Sequence, residues 1–181
     1  MQRSGSDIVP DSSVVVVEGR FSARYMRLTW PKLLMLWEQL KAYRMLFSDL
    51  TRGDLKNFIG YVTSQDTLWL EIWRDKELVG IVTLERMHQI VDADAHVLFL
   101  ESHPTLTDKI PVCKAIIAWI FASFPLQRLT VEVPSVYRAT GRFVKKLGFR
   151  QEGKKRQAIL IDRHWIDVYI FGLTRAEAQG K

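Results

Sequence analysis

Cysteine is almost missing from this sequence. Cys113 stands alone among 181 residues, which excludes an intrachain disulfide and a cysteine metal cluster. The four histidines, His88, His96, His103 and His164, form no H-x-x-x-H pair, so no metal site is expected. No apolar run reaches the ~18–20 residues that a membrane-spanning helix requires. The N-terminus also lacks the charged, apolar and small-residue order of a secretory signal. A cytoplasmic setting without membrane attachment is the expectation. The patterns G-x-x-x-x-G-K-[S/T], G-x-G-x-x-G and G-x-S-x-G are all absent, which argues against phosphate-loop nucleotide hydrolysis, Rossmann-type dinucleotide binding and the serine-hydrolase elbow.

What is present is an ordinary folding composition. Apolar residues are 48% and charged residues 25%, outside the range of disordered chains, and the length suits one hydrophobic core rather than two. The net charge of +6 favours acidic ligands such as phosphates, a pyrophosphate-bearing cofactor or nucleic acid. Its densest cluster is Lys145, Lys146, Arg150, Lys154, Lys155 and Arg156. A solvated basic rim accounts for such a cluster as well as an anion-facing surface does, and no nucleic-acid-reading motif accompanies it.

Residues 1–13 are polar and read as a flexible arm. Val14–Val17 is a β-branched first strand. Helical spacing of Leu33, Leu36, Trp37 and Leu40 predicts a helix from Pro31 to about Met45, and Leu55, Phe58, Ile59 and Val62 predict a second, from Thr51 or Gly53 to Val62. Alternation from Leu68 to Trp73, the turn Asp75-Lys76, the partner Leu78–Leu84 and a third strand His96–Leu100 make a meander. Gly80 in its second strand marks a bulge or a close backbone approach. A strongly apolar helix spans about Asp108 to Phe124, and Leu129–Val133 is a strand. Val136–Leu147 is a helix closed by Gly148. Ala158–Ile161 and Ile166–Leu173 are two strands around the turn 162–164, and residues 176–181 form a tail. The class is α/β: one domain over 14–175, with a mixed central sheet of about six or seven strands and helices on both faces.

The stretch Lys145-Lys146-Leu147-Gly148-Phe149-Arg150-Gln151-Glu152-Gly153, followed by Arg156, Asp162, Trp165, Asp167 and Tyr169, resembles the "EKLGF…EG" and "R…DG.W.D…Y" pattern of the GNAT (N-acetyltransferase) superfamily. The likeness is strongest to its ribosomal-protein N-terminal acetyltransferase branch. Residue matches are confined to about 129–173, whereas the element order is similar over about 14–175. Physically, Gly148 should end its helix, Phe149 should plug the core and Gly153 should turn the chain within the last strands.

The resemblance implies transfer of an acyl group from acetyl-CoA to an amine-bearing acceptor, either a protein or a small molecule. It places the pantetheine arm beside Leu98, Phe99 and Leu100, in a gap between the third meander strand and the next parallel strand. The pyrophosphate would sit on amides around Thr107, Asp108 and Lys109 at a helix start, with Arg138 and Arg142 approaching the phosphates. This sequence departs from the pattern there: Thr105–Pro111 has no glycine, Asp108 is acidic, and Pro111 removes an amide donor.

For chemistry, Glu101 is the candidate base, with Glu132 and Glu85 in reserve and His96 and His103 flanking the cleft. The position that relatives fill with a tyrosine acid is Val144 here, and Tyr137 at the start of the same helix is the candidate substitute, beside the ordinary reading of a half-buried packing tyrosine. A second reading follows from these departures: a GNAT-shaped binding or assembly protein that does not use CoA, of the kind some phages carry near virion-assembly genes.

Overall fold

The computed structural model describes residues 14–41, 54–87, 91–100, 108–161 and 163–180. The expected arm 1–13, the loop between the first two helices, and Glu101, His88, His103, Thr107 and Asp162 lie outside these. The strands are β1 Val14–Glu18, β2 Phe21–Tyr25, β3 Leu68–Arg74, β4 Glu77–Glu85, β5 Asp92–Phe99, β6 Arg128–Pro134, β7 Arg150–Ile161 and β8 His164–Thr174. The helices are α1 Trp30–Leu40, α2 Leu55–Val62, α3 Ile110–Ser123, α4 Arg138–Lys146 and α5 Arg175–Ala178. All eight strands form one sheet in the order β1-β2-β3-β4-β5-β6-β8-β7. Among the described residues only β5 and β6 pair in parallel, and α3 makes the crossover between them.

Strand alternation divides the apolar side chains between two faces. Leu70 and Ile72 of β3, with Val82 and Leu84 of β4, join a core with Val112, Cys113, Ile116, Ile120 and Phe121 of α3 and Phe143 and Val144 of α4. On the opposite face Trp69 and Ile81 pack with Leu33, Leu36, Trp37 and Leu40 of α1 and Phe58 and Val62 of α2. The α1 set has helical spacing, which is why it forms one stripe. Asp54 starts α2 by accepting from the amides of Lys56 at 2.7 Å and Asn57 at 3.3 Å.

Several boundaries move. β2 is an eighth strand that the sequence reading passes over, because Phe-Ser-Ala-Arg-Tyr alternates weakly and sits beside a polar turn at Gly19. α3 begins at Ile110, with Lys109 at the cap position and no side-chain cap, rather than at Asp108. β5 begins at Asp92, because the polar residues before His96 pair with β4 and β6. β7 starts at Arg150, so Gly153 is not a turn: it lies in the strand at a register shift between Gln151 and Gly153. The expected tail instead opens as α5, where Thr174 and Glu177 make a capping box. Arg175 beside it donates to the carbonyls of Phe121, Phe124 and Leu126 and so closes the far end of α3. Gly148 holds φ at +106° and Phe149 is buried, as the helix-ending signature requires.

Candidate active site

The parallel pairing of β5 with β6 lasts three residues: Asp92 opposite Arg128, Ala93 opposite Leu129 and Asp94 opposite Thr130. A polar clamp holds this end shut. Thr130 Oγ1 donates to both Asp92 oxygens at 3.0 and 3.1 Å, and Arg86 Nη2 reaches Asp94 Oδ1 at 2.5 Å. Arg128 lies 3.7 Å from Asp92 and 2.6 Å from Glu152. Past Asp94 the strands diverge. Among the described residues the edge of β5 facing β6 then has no strand partner, while its other edge pairs with β4 up to Phe99.

A cleft of about 550 Å³ occupies this divergence. Its walls come from both faces of the sheet. Ile116, Ile117 and Ile120 of α3, and Val144 with Leu147 near the end of α4, supply an apolar side. Tyr61, Glu85, His96, Leu98 and Glu132 line the cleft from the α1/α2 side. The cleft therefore passes through the sheet. Gly80 shapes its neighbourhood, since a Cβ there would stand 2.9 Å from the Leu98 carbonyl and from the Phe99 ring.

The residues read from sequence fall into three groups. Leu98 lines the cleft, while Phe99 turns to the α3/α4 core and meets the Phe143 ring edge-on at 6.0 Å. Leu100 packs against the α1/α2 core, its amide donating to the Val79 carbonyl at 2.8 Å. Tyr137 is 43% exposed at the start of α4 and lines the cleft, and Arg138 and Arg142 are exposed along the same helix. At the start of α3, Asp108 is exposed but Lys109 is fully buried, its ammonium 5.1 Å from the Phe99 ring centre and 3.6 Å from Asp108. That lysine points its charge into the protein rather than outward. Glu101 and Thr107 lie outside the described residues.

Of the reserve carboxylates, Glu132 is ion-paired with Lys155. Glu85 accepts a hydrogen bond from Tyr61 and lies 3.4 Å from His96 Nε2. Burial, and then the Glu85 carboxylate, push the Tyr61 phenol well above its ordinary range, so it stays a donor at neutral pH. Tyr61 is a site residue that the sequence reading does not single out. Its only signal was a place on a helix face next to Val62, indistinguishable from packing. Cys113 also lines the cleft, and burial pushes its thiol up to about 12, with Lys109 acting in the opposite sense. Among the described residues no group of three metal-ligating side chains occurs, and no helix is long and apolar enough to cross a membrane. In the basic cluster, Arg150, Lys154 and Lys155 are paired with Glu177, Asp167 and Glu132.

The cleft's donor groups fit a pantetheine arm. Among the described residues the β5 edge past Asp94 has no strand partner and offers backbone N–H and C=O groups, and the facing wall is apolar. The phosphate end fits less well among the described residues, with Asp108 outward and Lys109 inward.

This architecture, one mixed sheet opened between parallel neighbours and crossed by an apolar helix, is the fold of the GNAT acetyltransferases. Solved structures show the likeness over most of the chain. A chimera of the spermidine N-acetyltransferase SpeG from Vibrio cholerae and hSSAT matches with TM-score 0.74 and 13% identity, covering 90% of this chain and 100% of its own. The Vibrio cholerae spermidine N-acetyltransferase in complex with CoA and spermine gives 0.73 and 13%, covering 90% and 99%. The ribosomal-protein alpha-N-acetyltransferase RimL in complex with coenzyme A gives 0.71 and 14%, covering 90% and 98%. No protein-family model and no curated protein sequence matches the chain.

Proposed function

We propose that this protein is an N-acyltransferase that takes an acyl group, most simply acetyl, from acyl-CoA to a primary amine of a protein or small molecule in the cytoplasm. The observation that supports this most directly is the divergence of β5 and β6 after Asp94, which opens a cleft through the sheet. A donor and an acceptor can then meet from opposite faces. The neighbours' complexes with CoA, and with spermine, agree with that use.

The bound acyl-CoA supplies an activated thioester. This chain's part is to position and to move protons. The edge of β5 at Leu98 and Phe99, continuing to Leu100, would hold the pantetheine amides as an added strand is held. Ile116, Ile117 and Ile120 exclude water beside it. A pyrophosphate would be held at the start of α3, assigned to Thr107, Asp108 and Lys109, and Arg138 and Arg142 would add charge from α4. Glu101 remains a candidate base. Tyr137, on the cleft wall, is the candidate donor to the leaving thiolate, because Val144 fills the position from which a tyrosine would act in relatives.

A second reading draws on the outward Asp108 and inward Lys109: a GNAT-shaped binding or assembly protein, phage-associated in type, that does not use CoA. One experiment separates them. Calorimetry with acetyl-CoA should show saturable binding, accompanied by thermal stabilisation that grows with ligand concentration. Ile117→Trp, which fills the cleft, should weaken binding at least about tenfold, or ~1.4 kcal/mol, in a protein that still melts cooperatively. No binding at millimolar acetyl-CoA would leave the assembly reading.

A further inference from the structure

Tyr61, Glu85 and His96 come from α2, β4 and β5, three elements that share no sequence neighbourhood, yet they meet on one wall of the cleft. All three lie on the α1/α2 side of the sheet, opposite the apolar wall of α3 and α4. His96 falls two residues past Asp94, the last β5 residue paired with β6, so the cluster stands where the cleft begins.

Its chemistry is specific. The Glu85 side chain is 21% exposed and His96 is 36% exposed, so the carboxylate is reachable but partly withdrawn from water. Neither neighbour is a permanent cation: Tyr61 gives a neutral O–H, and the imidazole carries charge only when protonated. Glu132 on the same wall differs, because Lys155 already neutralises it. Around the cluster, Leu40, Trp69, Ile81 and Leu98 line a small adjoining pocket, and Trp69 meets the Tyr61 ring edge-on at 5.5 Å. A carboxylate fixed by one neutral donor in a partly desolvated apolar setting attracts a cation more strongly than an exposed one does. An alkylammonium presents that combination of charge and carbon.

We propose that Tyr61, Glu85 and His96 form the subsite for the acceptor amine, which they take in its primary ammonium form. Glu85 binds the cation, Tyr61 fixes the carboxylate from behind, and His96 borders the position where the ammonium must lose its proton. The proposal rests on the acyltransferase reading for its purpose, but it makes a binding claim that stands by itself.

The test is a titration of the ligand-free protein, and of the protein with desulfo-CoA, using benzylammonium and spermidine as probes and benzyl alcohol as the uncharged control. The readout is the His96 imidazole NMR signal, assigned with His96→Gln. Both ammonium probes should shift it saturably, and benzyl alcohol should not. Glu85→Gln should weaken the ammonium response at least tenfold while desulfo-CoA affinity, read by calorimetry, stays within twofold. Tyr61→Phe, which keeps the ring on Trp69, should give a smaller loss of the same kind and covers the case in which Glu85→Gln folds poorly. An absent shift, an equal response to benzyl alcohol, or full ammonium affinity in folded Glu85→Gln overturns the subsite. Failure of desulfo-CoA to bind overturns the acyltransferase reading instead, since the ligand-free titration is read separately.

Discussion

The two walls of the cleft are built on opposite terms. On the α3/α4 side the lining is almost all carbon, and the same residues, Ile116 and Ile120 among them, belong to the main core. On the α1/α2 side the lining carries Tyr61, Glu85, His96 and Glu132, while the apolar packing of Trp69, Ile81 and Phe58 lies beneath them. One wall therefore stabilises the fold and bounds the cleft with the same atoms. The other separates those tasks, because a polar group can be spared from packing only where the core beneath it is already complete. Truncations on the first wall should register chiefly as stability, and those on the second as binding.

The largest expected effect tests the core behind the first wall. Phe121 is buried in the α3 core, with Arg175 stacked on its ring at 5.4 Å. Phe121→Ala should cost about 3–5 kcal/mol in a denaturant titration, and a loss under about 1 kcal/mol would mean that α3 is not the foundation described. Gly80→Ala comes next. Its Cβ meets the Leu98 backbone carbonyl, which cannot swing away as a side chain could, so overpacking of about 1–3 kcal/mol is expected, with a lowered acetyl-CoA affinity.

Gly148→Ala should cost roughly 1 kcal/mol, because φ of +106° strains any residue with a Cβ. An unchanged midpoint would show that the α4 cap relaxes at little cost. Glu85→Gln, on the polar wall, keeps shape and most hydrogen bonding. It should move stability by under about 1 kcal/mol, and a loss equal to that of Phe121→Ala would break the contrast between the walls. The smallest effect is kinetic. Burial holds the Cys113 thiol protonated at neutral pH, so iodoacetamide should label it slowly in the native protein and rapidly in denaturant. Fast native labelling would show that the apolar wall is open to solvent.

Much of this protein was legible in its residues. Leu33, Leu36, Trp37 and Leu40 could form only one helical stripe, and Leu68 to Trp73 only a strand, because periods of 3.6 and 2 are fixed by backbone geometry. Gly148-Phe149 announced a left-handed cap followed by a core plug, and Gly80 a close approach, since each depends on a local steric rule. The polar run before His96 hid the start of β5, because Asp92 and Ala93 are held by β6 partners, Arg128 and Leu129, more than thirty positions away. The charge of Lys109 and the composition of its loop could be counted, but whether the ammonium faced a phosphate or the Phe99 ring could not. Glu85 and His96 could be proposed one at a time. That they meet, and that Tyr61 joins them, was decided by the sheet register opposing Glu85 to Asp94 and by α2 lying across it. Local periodicity and turn chemistry act over a few residues and are written into the sequence. A site that spans α2, β4 and β5 exists only once non-local pairing has set the register.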